Sequence, residues 1–88
     1  MSTKIIVSGR VQGVSFRRFV EINAVKLDLS GYVKNLNNGD VEIVVDGNKK
    51  NIDKLITECE KGSPASVVKN IFIEKDDDYN FNGFNIRN

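Results

Sequence analysis

The chain has 88 residues, 40% of them apolar and 28% charged, which reads as one soluble domain near the lower size limit for folding without disulfides or metal. Its single cysteine, Cys59, excludes an internal disulfide and favours a reducing compartment or indifference to redox state, with a cytoplasmic location expected, and the absence of histidine excludes Ser-His-Asp triads and most zinc sites. A net charge of +1 gives no general attraction to nucleic acid or membrane, no apolar run nears the ~20 residues of a transmembrane helix, and Met1 to Val7 do not make a secretory signal.

Residues 3–9 are expected to form a central strand, with Ile5 and Val7 on one face and Ile6 on the other. Arg10 to Ser15 hold Gly13 and no period, so they read as a loop, with Ser15 as the helix N-cap. Phe16, Phe19, Val20, Ala24 and Leu27 then recur at helical spacing, and that helix is expected to end near Ser30-Gly31, with Gly31 as its stop. Gly31 to Leu36 and Asp40 to Asp46 read as two strands, the second with Val41, Ile43 and Val45 on its buried face. Asn37-Asn38-Gly39 between them is a hairpin turn, because Asn and Gly tolerate positive φ.

After Gly47, Ile52, Leu55, Ile56 and Cys59 mark a second helix, closed by Gly62-Ser63-Pro64. Val67 to Glu74 reads as a fourth strand and Phe81 to Arg87 as a short fifth, joined by an acidic stretch from Asp76 to Asn82. The order βαββαβ plus a fifth strand, with right-handed crossovers, gives a ferredoxin-like α+β sandwich. Both helices then pack on one face of a mainly antiparallel sheet, in a single domain over residues 1–88. Such a fold hosts many functions, so function must come from the site.

Residues 1–20 hold Lys4, Arg10, Arg17 and Arg18 and no acid, a local positive field suited to a small anion. Gly9-Arg10-Val11-Gln12-Gly13-Val14-Ser15-Phe16-Arg17 brings three effects to one point. Glycines allow several N–H groups to turn inward as an anion nest; the next helix aims its positive dipole end there; and Arg17 can contact two phosphate oxygens at once. The plainer interpretation is a tight connection with surface arginines. No P-loop or GxGxxG pattern is present. Asn35, near the end of a neighbouring strand, is either a turn residue or an amide that fixes the direction of a water.

The Gly9–Arg17 stretch resembles the first signature of the acylphosphatase family. Gly31-Tyr32-Val33-Lys34-Asn35, with Gly39, Val41 and Gly47 at matching offsets, is similar to the second, and Gly83-Phe84-Asn85-Ile86-Arg87 to the closing strand. The resemblance implies hydrolysis of the carboxyl–phosphate anhydride of small acyl phosphates, with no metal, cofactor or covalent intermediate. It assigns Arg17 as the phosphate-binding catalytic arginine and Asn35 as the residue orienting the attacking water. The backbone of Val11, Gln12, Gly13, Val14 and Ser15 becomes the phosphate cradle. It also implies a monomer acting on a small substrate, with no nucleic-acid or membrane partner. Ser15 and Asn37-Asn38 depart mildly from the family pattern.

The remaining candidates read as structural or stay open. Cys59 completes an apolar stripe and reads as a buried thiol, and no arginine follows it at the spacing of a cysteine phosphatase. Asp76-Asp77-Asp78 reads as a solvated acidic turn rather than a metal site. Phe16 and Phe19 read as core. Arg10 and Arg18 either add field around a phosphate or are solvated. A ferredoxin-like RNA binder would carry stacking aromatics on its central strands; Asp40 to Asp46 has none and holds three acids. A non-catalytic anion-binding or accessory module is the other alternative.

Overall fold

The structure is a computed structural model and describes residues 2–76 and 81–88. Its elements are β1 (Ser2–Arg10), α1 (Phe16–Lys26), β2 (Ser30–Asn35), β3 (Val41–Asp46), α2 (Lys49–Lys61), β4 (Val67–Asp76) and β5 (Phe84–Arg87). They form one five-stranded sheet in the order β4-β1-β3-β2-β5. All neighbours are antiparallel except β5, which runs parallel to β2. The expected ferredoxin-like sandwich is therefore present, with β5 as a parallel addition at one edge.

Alternation along the strands builds the core. Ile5 lies opposite Ile43, which lies opposite Val33, so one apolar row crosses the three central strands. Phe16, Val20 and Ala24 of α1 and Ile52, Leu55 and Cys59 of α2 bury their side chains against this face. Each large apolar side chain buried this way contributes roughly 1.5–3 kcal/mol. The second helix begins as its sequence suggests, with the Asn48 side chain accepting from the Lys50 N–H.

The first helix ends earlier than its spacing predicts. It stops at Lys26, and the reversal is made by Asp28 at φ 57, not by Gly31. The Leu29 N–H donates to the Ala24 carbonyl at 2.9 Å and the Asp28 N–H to the Val25 carbonyl at 3.1 Å. This is a Schellman closure with an aspartate in the left-handed position usually held by glycine. Gly31 serves β2 instead: a Cβ there would lie 1.8 Å from the Val44 carbonyl oxygen. The side chain is missing because the adjacent strand passes too close.

Other boundaries shift by a few residues. The strand expected from Asp40 starts at Val41, β4 runs on to Asp76, and β5 begins at Phe84 rather than Phe81. Residues 77–80, most of the acidic connection including Asp77 and Asp78, lie outside the described residues. In the hairpin, positive φ falls on Gly39 alone, and Asn38 contributes through its side chain, which accepts from the Asp40 N–H at 3.0 Å.

Asp28 combines a left-handed backbone with a negative charge at a helix C-terminus, both unfavourable. Asp28→Gly removes both while loosening the unfolded chain. The expected net gain is about 0.5–1 kcal/mol, or roughly 3–6 °C in melting temperature for a domain of this size, read by thermal unfolding. A fall in melting temperature would show that the carboxylate has a stabilising role.

Candidate active site

Between β1 and α1 the chain runs through Val11 to Ser15. Val11 is 1% exposed and Val14 packs against the core, which fixes the loop at two points. Among the described residues, no backbone N–H from Val11 to Ser15 donates to a turn, loop or side-chain acceptor. A run of unpaired amides entering a helix is the arrangement that holds small oxyanions. Ser15 occupies the N-cap position but makes no side-chain capping bond, and its φ of 62 places it in the left-handed region. The expectation of an ordinary serine cap is thus corrected. Ser15 turns the chain into the helix and leaves the first amides of α1 uncapped by its hydroxyl.

Arg17 and Arg18 occupy the first turn of α1, which holds no acidic residue. Positive charge at this end opposes the helix dipole and costs stability of about 0.3–1 kcal/mol per residue, so the arrangement favours an anion more than an empty helix. Arg17 donates through Nη1 to the Arg87 carbonyl oxygen at 3.0 Å and to Asn88 Oδ1 at 3.4 Å. One nitrogen of its guanidinium is thereby anchored to the end of β5, and the rest of the five-donor fork stays available. Arg18 is mostly solvated and pairs with Glu21 at 2.7 Å. Arg10 is exposed.

Asn35 is the last residue of β2 and lies opposite Val41 of β3. Its Oδ1 is buried and has no hydrogen-bond partner among the described residues. Buried carbonyl oxygens are seldom left this way. The turn-residue interpretation does not explain it, because the turn begins after Asn35.

Val11, Gly13, Ser15, Phe16, Arg17, Arg18, Asn35 and Ile86 line a single cavity of about 350 Å³. Arg17, Asn35 and three of the five cradle residues are therefore brought together. Gln12 and Val14 are not part of that lining. Val14 faces the core, and the Gln12 side chain turns to the β2–β3 hairpin, where Nε2 donates to the Leu36 and Asp40 carbonyl oxygens, both at 2.8 Å. Sequence reasoning missed that side chain, the Arg87 carbonyl that anchors Arg17, and Ile86, whose 38% exposure puts an apolar surface on the cavity wall. Only Gln12 carried a signal, as a long amide inside a loop of otherwise small or apolar residues.

The other polar and nucleophilic groups lie apart from this cavity. Cys59 is fully buried, and desolvation pushes its thiol up to about 12, as an inert core residue requires. Burial and a hydrogen bond to Glu42 at 2.8 Å push the Tyr32 hydroxyl up to about 12. Arg87 stacks over the Tyr32 ring at 4.0 Å, tying β5 to β2 on the sheet face away from the helices. Among the described residues, no helix is long and apolar enough to cross a membrane.

The acylphosphatase family model matches residues 3–86. An acylphosphatase from Caldivirga maquilingensis is 43% identical over 86 residues, covering 96% of this chain and 90% of that protein. One from Bacillus licheniformis is 42% identical over 84 residues, covering 94% and 93%. The crystal structure of acylphosphatase from Bacillus subtilis superposes with a TM-score of 0.94 at 38% identity, over 99% of this chain and 98% of that one. Full-length HypF superposes with a TM-score of 0.88 at 31% identity, over 99% of this chain but 12% of its own.

Proposed function

The chain belongs to the acylphosphatase family and hydrolyses acyl phosphates to carboxylate and inorganic phosphate; from that premise we propose which residues carry the reaction. The phosphoryl group sits on the amides of Val11 to Ser15 and on the free part of the Arg17 fork. Asn35 Oδ1 accepts one O–H of the attacking water, which leaves an oxygen lone pair aimed at phosphorus. Water oxygen bonds to phosphorus as the bond from phosphorus to the acyl oxygen breaks, and that electron pair leaves on the carboxylate. A carboxylate departs without a proton, so no general acid is needed. Water's proton passes to a phosphate oxygen, so no histidine is needed either.

Phosphoryl transfer responds chiefly to positioning and to charge stabilisation on the equatorial oxygens. The supporting observation is that Asn35 lines the same cavity as Arg17 and the loop. The chain works as a monomer in this reading, since Arg17, Asn35 and the loop that line the cavity all come from one chain, and as one domain spanning residues 1–88. Its buried lone thiol fits a cytoplasmic location. A non-catalytic accessory role is not favoured, because the acylphosphatases from Caldivirga maquilingensis and Bacillus licheniformis are matched over 90% and 93% of their length and HypF over 12%.

Phosphate release from acetyl phosphate, with no metal added, tests the reading. Turnover is expected to persist within about twofold after chelation with EDTA, and a phosphomonoester of similar size is expected to react at least about 10²-fold more slowly, because its alkoxide leaves poorly without an acid. Equal rates on both substrates, or loss of activity with EDTA, would overturn it.

A further inference from the structure

Gln12 ties the loop to the β2–β3 hairpin through its side chain, in addition to the sheet and core that already connect them. Its backbone lies in the middle of the proposed cradle, while its side chain spans to the base of the β2–β3 hairpin. Nε2 donates both its hydrogens there, to Leu36 and Asp40 at 2.8 Å each. Leu36 directly follows Asn35, and its own N–H donates to the Asp40 carbonyl at 2.8 Å. The amide thus closes a ring of polar contacts one residue from the buried Asn35 carbonyl. A methylene chain of fixed length separates the phosphate-holding backbone from that ring.

We infer that Gln12 is a positioning residue that sets the distance between the phosphate cradle and the water held by Asn35. The inference rests on Asn35 orienting the water, and it assigns to the Gln12 side chain a task distinct from its backbone. Phosphate alone needs only the cradle and Arg17. Reaction also needs the water at the correct range from phosphorus, and an error of ~1 Å in such an alignment costs up to about 10²-fold. The side chain should therefore act on turnover and not on affinity for phosphate.

Gln12→Met keeps length and loses both donors. With acetyl phosphate, kcat is expected to fall about tenfold, while KM and the inhibition constant of inorganic phosphate change less than about twofold. In an Asn35→Ala background the same substitution is expected to lower kcat less than about twofold, since a residue acting through Asn35 has nothing left to position. Gln12→Glu supplies a second test that tolerates a folding defect in the first. At neutral pH its carboxylate faces two carbonyl oxygens, and protonation restores one donor. Its kcat relative to the parent should therefore rise as pH falls toward about 5, near the carboxyl range.

A full tenfold loss repeated in the Asn35→Ala background would overturn the inference, as would weakened phosphate inhibition with kcat unchanged or a flat pH ratio for Gln12→Glu. If Asn35→Ala alone leaves kcat intact, the failure belongs to the water-orienting role and not to Gln12.

Discussion

Arg17→Ala is expected to lower kcat/KM for acetyl phosphate by at least about 10²–10³, the cost typical of removing one preorganised donor to a developing charge. Inorganic phosphate should also inhibit much more weakly, because the same fork contacts the ground-state phosphate. Arg17→Lys should recover little. The arginine holds the Arg87 carbonyl with one nitrogen at 3.0 Å and has others left for the substrate. A lysine has one ammonium centre and cannot hold both points in a plane. Melting temperature should be unchanged or slightly higher in Arg17→Ala, since a cation leaves the positive end of α1. A melting temperature that collapsed along with activity would instead make Arg17 a clamp for β5.

The second large effect is expected at Asn35. Asn35→Ala should reduce kcat by about 10²-fold, by analogy with other single positioned groups. Phosphate inhibition should stay within about threefold, because the cradle and Arg17 are untouched. The substitution removes an oxygen that is buried without a partner among the described residues, so it should not destabilise the fold. Kinetics with varied phosphate, beside thermal unfolding, separate these outcomes. If phosphate binding vanished in step with turnover, Asn35 would be part of the phosphate contact and the water assignment would be wrong.

Much of the architecture was legible because strands report their buried face by alternation. Val41, Ile43 and Val45 are all buried, as their spacing required. The end of α1 was illegible for a specific reason. Its left-handed residue is Asp28, which carries no glycine signal, while the nearest glycine, Gly31, is required by close strand approach. Ser15 misled in a similar way, since its type suits a cap and its backbone conformation prevents the ordinary one.

The proposed site divides along the same line. Arg17 and Asn35 were identifiable by residue type and motif spacing. That they line one cavity needed the structure, because motif spacing places Asn35 on a strand beside the loop without saying which way its side chain is turned. The contact between Arg17 and the Arg87 carbonyl uses a main-chain atom, which every residue possesses, so sequence carries no mark of it. Gln12 was singled out for its backbone, and its side chain proved to bond 24 and 28 residues away along the chain.

The charge order of α1 bears on how this protein should be engineered. A standard recipe for strengthening a helix would place aspartate or glutamate in the first turn and a capping side chain ahead of it. Here the first turn carries Arg17 and Arg18, and Ser15 withholds its cap. Applied to this helix, the recipe would fill the anion seat with a permanent internal carboxylate, giving a sturdier protein that inhibits itself. Stabilising designs belong at the other end of the same helix, where Asp28 can change without touching the loop.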